Sequence, residues 1–274
     1  MAELDPAIAS MLFDCVHRRS GVPTRTRVTG RIVEALLDFC FPPHCGACQS
    51  PLDPGANKGL CQACSKQIRW IGHDRCLRCG DMVGIGMGPV SDCVSCQPHP
   101  PRFVSAAVCA ARYEEGAPAR ELVLALKFGR KSHLARELGK IMALRINQTG
   151  LLADASAVFV VPTPLTRESL LERGFNQAEA LAFWVARELK LKLETRLLRK
   201  IRATRPQAML SQKQRRENLK GVFACAARVA KRHAGFTALL IDDVITTGNT
   251  VSECARTLRD AGIKRVFAAS FAHG

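Results

Sequence analysis

Apolar and polar residues alternate along this chain with two periods, and over 45–96, where neither is sustained, the chain is rich in cysteine, glycine and proline. From Phe103 to Tyr113 the pattern is apolar and strand-like. Pro118–Phe128 carries Leu122 and Leu126, and His133–Ile146 carries Leu134, Leu138, Ile141 and Met142, at the spacing of one helical face. Ala157–Val161 is a short, wholly apolar run suited to a central parallel strand. It leads into Pro162-Thr163-Pro164, a loop stiffened by its two prolines. Phe175–Leu189 reads as a helix and Leu197–Ile201 as a strand. Phe236–Ile241 is a buried strand; after it Val251, Cys254, Leu258 and Ala261 recur at spacings of three and four, and Gly262 closes the run. Val266–Phe271 is the last strand. Helices alternating with strands from 103 to 274 predict an α/β fold: a parallel-rich, doubly wound sheet with helices on both faces.

The preceding third of the chain reads differently. Residues 1–30 show no sustained period and hold a basic patch (His17, Arg18, Arg19, Arg25, Arg27), as an extension would. Ile32, Val33, Leu36, Leu37, Phe39 and Phe41 predict a short helix ended by Pro42-Pro43. Then come four Cys-x-x-Cys pairs: Cys45/Cys48, Cys61/Cys64, Cys76/Cys79 and Cys93/Cys96, separated by 12, 11 and 13 residues. A Cys-x-x-Cys turn sets two sulfurs on one cation, and two such turns complete a tetrahedron with no position left for a substrate. The segment has few large apolar residues and could hardly fold without metal. It predicts two structural zinc sites, 45/48/61/64 and 76/79/93/96. A crossed pairing, 45/48 with 76/79 and 61/64 with 93/96, stays open, and redox disulfides are a weaker third reading. The other five cysteines (Cys15, Cys40, Cys109, Cys225, Cys254) lie among apolar neighbours, as buried, inert thiols do. The expected organisation is an extension over 1–35, a double zinc ribbon over 36–100 and the α/β domain over 101–274.

Charge narrows the class of partner. The 274 residues carry a formal +16, which two zinc ions each held by four thiolates would bring to about +12. Such a field favours polyanions. Arg199, Lys200, Arg202, Arg205, Lys213, Arg215, Arg216 and Lys220 face a single acid, Glu217, across 199–220. This run suits a hood over a diphosphate, a surface for a nucleic-acid backbone, or a plain solvated face. No run reaches the roughly eighteen apolar residues of a membrane helix, and Met-Ala-Glu-Leu-Asp is acidic where a signal peptide is basic. A cytoplasmic protein without membrane insertion is expected.

The stretch 239–251 carries the chemistry. A strand delivers Asp242 and Asp243 to its C-terminal edge, where open α/β sheets bind ligands. Thr246, Thr247, Gly248, Asn249 and Thr250 follow as a turn feeding a helix N-terminus. Exposed amides, hydroxyls and the helix dipole make a donor-rich cup for a phosphate monoester. The carboxylates suit vicinal hydroxyls, or Mg²⁺ with its oxygen ligands. Phosphate at one end with a diol and Mg²⁺ at the other describe a ribose 5-phosphate activated at C1. A bare acidic pair before a capped helix would be ordinary structure; the ordered set of strand, pair, turn and helix is what points to function. Arg173 and Asn176, past the proline loop, and Lys127 are candidates for a second phosphate at this edge.

The 239–251 stretch resembles the phosphoribosyl pyrophosphate (PRPP) signature of type I phosphoribosyltransferases. That resemblance implies that Asp242 and Asp243 hold the ribose 2′- and 3′-hydroxyls and Thr246–Thr250 the 5′-phosphate. Phe-Pro-Pro-x-Cys-x-x-Cys (41–48), the later pairs, Ala-Leu-Lys-Phe-Gly-Arg (125–130), Arg-Gly-Phe-Asn-Gln-Ala (173–178), Pro-Gln-Ala-x-Leu-Ser (206–211) and Arg-x-x-Asn-Leu (215–219) together resemble ComF-type competence proteins over roughly 36–274. Membership implies zinc ribbons joined to a type I phosphoribosyltransferase-like domain, and a role in natural transformation. There the protein would handle incoming single-stranded DNA beside a competence helicase. Three readings follow: a PRPP- and Mg²⁺-binding protein of DNA uptake, a catalytically inactive single-stranded-DNA adaptor, or a phosphoribosyltransferase of nucleotide salvage. A zinc-ribbon transcription factor would have no use for the cup. No residue names the acceptor or an oligomeric state.

Overall fold

A computed structural model describes residues 43–52, 59–72, 74–83, 93–96, 101–129, 131–203 and 212–274. The basic patch of 1–30, the helix expected over 31–41 and the 206–211 motif lie outside these residues. The elements in order are α1 (Gln62–Gln67), β1 (Ala106–Arg112), α2 (Pro118–Phe128), α3 (Leu134–Gln148), β2 (Val158–Pro162), α4 (Arg167–Arg173), α5 (Gln177–Leu189), β3 (Lys192–Leu193), β4 (Leu198–Lys200), α6 (Gln212–Leu219), β5 (Phe223–Cys225), α7 (Ala227–Arg232), β6 (Thr237–Ile245), α8 (Asn249–Asp260) and β7 (Arg265–His273).

Five strands make one sheet in the order β1-β7-β6-β2-β3, parallel at every pairing. Strand periodicity sends alternate residues of β6 to opposite faces. Leu239 and Ile241 pack with α2, α3 and α5; Ala238 and Leu240 pack with Val251, Cys254 and Leu258 of α8. With both faces covered, the central strands can be almost wholly apolar, as 157–161 is throughout and 236–241 is apart from the buried Thr237.

Two differences from the sequence reading shape the functional edge. β6 does not stop at Ile241 but continues through the acidic pair to Ile245, because β7 goes on pairing with it to Ile245↔His273. On its other side β2 ends at Pro162↔Ile241, so Asp242 and Asp243 overhang an open edge there. The second difference is Leu198–Lys200, which pairs antiparallel with Phe223–Cys225 outside the main sheet. Leu197 and Leu198 anchor it in the core, while Arg199 is exposed. No apolar period marks α4 in the sequence, and its residues are all at least partly exposed. Its ends are fixed by caps: Thr166 Oγ1 accepts from the Ser169 amide at 3.2 Å, and Gly174 turns left-handed at φ 80°. Asn176 caps α5 in the same way, accepting from the Ala178 amide, so that helix starts at Gln177 rather than Phe175.

The cysteine-rich segment is seated on the edge of this sheet. Ile71 N donates to Ala110 O at 2.9 Å and Arg112 N to Arg69 O at 2.9 Å, laying 69–71 antiparallel along β1. Trp70 stands edge-on to Phe271, with ring centroids 6.4 Å apart. The guanidinium of Arg145, 1% exposed, donates to the carbonyls of Ile71 and Gly72. Gly46 lies so close to Leu122 and Leu134 that a Cβ there would meet them at 2.9 Å.

Candidate functional site

The turn from β6 into α8 forms a solvent-open hollow lined by Asp242 and by Val244 through Val251. Gly248 is the residue before the helix, left-handed at φ 67°, a conformation glycine adopts without strain. The first amides of the twelve-residue α8 open toward this hollow, where the dipole favours negative charge. Thr246, Thr247, Gly248, Asn249 and Thr250 are thus brought together as one donor-rich cup, with Asp242 beside them.

Asp242 is half-buried. Its Oδ1 accepts from Thr163 Oγ1 at 2.9 Å and from the Asp243 amide at 3.0 Å. Burial, and behind it the charge of Asp243, push the Asp242 carboxyl up to about 7, against the opposing pull of the Lys127 ammonium. Asp243, 8% exposed, is the next residue of a strand and therefore leaves on the opposite face. There its Oδ2 lies 3.0 Å from Lys127 Nζ. The two carboxylates do not point side by side from a strand end, and reach a common diol only across the edge that β2 leaves open.

Lys127 and Arg173 do not line the cup. Lys127 is committed to Asp243 in this structure rather than turned toward a second phosphate. Arg173 Nη1 donates to Gln177 Oε1 at 3.1 Å, and its buried Nε has no acceptor among the described residues. Asn176 Nδ2 donates to Thr163 O at 3.0 Å, so the 173–177 loop is tied to the residue that holds Asp242. Two participants were not singled out from sequence. Thr163 lies within the Pro162-Thr163-Pro164 loop, but nothing local marks it as the partner of Asp242. Pro101 packs on the turn itself: a Cβ on Gly248 would come within 2.8 Å of it, and the neighbouring Arg102 amide donates to Ser252 Oγ at 2.9 Å. Only the fold brings these residues together, Thr163 with Asp242 across 79 positions of chain and Arg102 with Ser252 across 150.

The eight cysteines of the four pairs gather as Cys45/Cys48/Cys61/Cys64 and Cys76/Cys79/Cys93/Cys96, and within each set the sulfurs lie within 4.8 Å of one another. The crossed pairing is not the one formed. Sulfur separations are 3.8 Å for Cys48–Cys61 and 3.6 Å for Cys76–Cys96 and Cys79–Cys93. A tetrahedron with Zn–S of about 2.3 Å has edges of about 3.8 Å, so both sets fit Zn²⁺. The second set is wholly buried and rests on a polar network: Asp81 accepts from Ser95 Oγ and from Arg112 of β1, with His273 Nδ1 at 3.5 Å. Among the cysteines outside the pairs, burial pushes Cys109 up to about 12, Cys225 to about 11 and Cys254 well above its ordinary value, as inert thiols require. Cys15 and Cys40 lie outside the described residues.

Residues 36–97 match the family model of the double zinc ribbon domain. The chain is 32% identical over 230 residues to the DNA utilization protein YhgH of Escherichia coli O157:H7, covering 82% of this chain and 94% of that protein. It is 30% identical over 235 residues to Competence protein F of Haemophilus influenzae, covering 84% and 96%. A crystal structure, that of TT1426 from Thermus thermophilus, aligns with half of this chain and 74% of its own at 21% identity, with a TM-score of 0.29.

Proposed function

This chain belongs to the family of Competence protein F and the DNA utilization protein YhgH, and we propose that within it the 239–251 cup binds PRPP or a related ribose 5-phosphate. The observation that carries this reading is the junction of β6 with α8. Hydroxyls and helix amides for a phosphate sit there beside a carboxylate on an open strand edge. The Thr246–Thr250 turn would hold the 5′-phosphate, and Asp242, oriented by Thr163, would accept from a ribose hydroxyl. Asp243 would join it once Lys127 lets go, which frees the Lys127 ammonium for the diphosphate. Mg²⁺ bound to the diphosphate would neutralise its charge, and the oxygen-rich carboxylate edge suits that ion. Calorimetric titration with Mg²⁺ and PRPP decides the matter. Wild type should bind and Asp243→Ala should bind far more weakly; no binding heat from wild type overturns the reading.

A second reading, a single-stranded-DNA adaptor, draws on the net charge and on the competence and DNA utilization names of the relatives. Its mark is retention of single-stranded DNA that weakens steeply as salt rises. The two readings are compatible. Neutralising Arg215 and Arg216, whose helix backbone forms α6, should flatten the salt dependence; binding indifferent to salt counts against the adaptor.

A further inference from the structure

Phe128, one residue beyond Lys127 at the end of α2, presents a ring that is 61% exposed. The guanidinium of Arg173 lies 5.3 Å from its centroid. Leu170 and Leu171, on the helix that ends with Arg173, are exposed as well. A closed circuit of contacts fixes this patch beside the acidic pair. Lys127 Nζ meets Asp243, and Gln177 Nε2 reaches Lys127 O at 3.5 Å. Gln177 Oε1 accepts from Arg173, Asn176 donates to Thr163 O, and Thr163 donates to Asp242. An aromatic ring left in water next to a site for phosphate and sugar has an evident use, because any base can stack on it.

We propose that Phe128 and Arg173 form a seat for an unpaired nucleobase. The base is carried by single-stranded DNA or is free, as an acceptor whose ring nitrogen would bond to C1 of PRPP while pyrophosphate leaves and the N–H proton passes to solvent. Arg173 backs the ring and offers its guanidinium plane, and its charge attracts the phosphates a strand would bring. The contact offers no fixed pattern of donors to base edges, so it takes bases of any sequence. Its placement rests on the reading of the cup above, while its existence does not.

The test uses the full, zinc-loaded chain and Phe128→Leu, which keeps an apolar surface and removes the ring. Phe128 is exposed, so folding should be unaffected, as circular dichroism will verify. Anisotropy is measured with a labelled oligothymidylate of about fifteen nucleotides and with an abasic strand of equal length, over a range of salt. Phe128→Leu should weaken oligothymidylate binding roughly tenfold, with no change in the slope of log affinity against log salt. The abasic strand should bind weakly and ignore the substitution. Calorimetry with adenine, hypoxanthine and uracil, with and without Mg²⁺ and PRPP, separates the two sources. Heat lost in Phe128→Leu identifies a free acceptor base; loss confined to the oligonucleotide identifies a strand. If Phe128→Leu matches wild type for oligonucleotide and free bases alike, or the abasic strand binds as tightly as oligothymidylate, the seat is refuted. Titration of both proteins with Mg²⁺ and PRPP keeps the cup separate. If PRPP fails to bind while base binding still depends on Phe128, the seat stands and the sugar reading falls.

Discussion

Asp242→Asn keeps the shape of the neutral carboxyl and removes the charge that burial opposes. The hydrogen bonds from Thr163 and from the Asp243 amide both arrive at Oδ1, which the amide oxygen of asparagine can accept equally well. A carboxyl that is ordinarily near 3.8 and sits at about 7 in the fold keeps a proton that the unfolded chain releases between those values. Native stability therefore falls as pH rises from about 4 to about 7, and the whole penalty is present above that. A carboxyl raised from about 3.8 to about 7 corresponds to about 4 kcal/mol once it is fully ionised at pH 8, and to progressively less at pH 6 and pH 5. Asp242 is half-buried, and solvent at the mouth of the cup screens part of this, so these values are ceilings. Urea denaturation with zinc present, followed by tryptophan fluorescence at pH 5, 6 and 8, compares the two proteins. The variant should be the more stable one, by a margin that shrinks toward acid, and should bind Mg²⁺ and PRPP poorly. A variant no more stable than wild type at pH 8, or a gain that grows toward acid, refutes the reasoning.

The same proton should be visible in binding. Affinity for Mg²⁺ and PRPP should rise as pH passes upward through about 7, approaching tenfold per unit on the acid side, with close to one proton released. Calorimetry in two buffers of different ionisation enthalpy measures that proton. Gly248→Ala would place a Cβ at a left-handed position and 2.8 Å from Pro101; it should lower stability by about 1–2 kcal/mol and PRPP affinity at least tenfold, read by denaturation and calorimetry. Metal analysis of the whole chain should find two zinc ions, and Cys64→Ser should leave one. Because Trp70 Nε1 donates to Ser65 O, next to that ligand, its emission should shift to the red.

What could be read from sequence was local. A Cys-x-x-Cys spacing states its chemistry within four residues, and 239–251 holds strand, acid pair, turn and helix in one run. Pro118–Phe128 came out with the bounds the pattern predicts, since one face of it is core. The losses lie where distant chain decides. Carboxylates look like the end of a strand, yet pairing with β7 carries β6 three residues past Asp242 and so sends Asp242 and Asp243 to opposite faces. α4 buries nothing fully and is held by its caps, so it leaves no apolar period to detect. Thr163 against Asp242, Lys127 against Asp243 and Pro101 against Gly248 are tertiary juxtapositions without a local trace.

The strip 69–71 has a consequence for handling the protein. β1 is the outermost strand of a parallel sheet, and such a border invites a stranger's backbone wherever it is left bare. Here the chain borders it with its own strip, held between the two sulfur clusters in sequence and pinned by Trp70 and Arg145. Thiol oxidation or chelation would loosen that selvedge and leave a ready template for self-association. Clumping in metal-poor preparations would then come from an unstitched hem rather than from a failed interior.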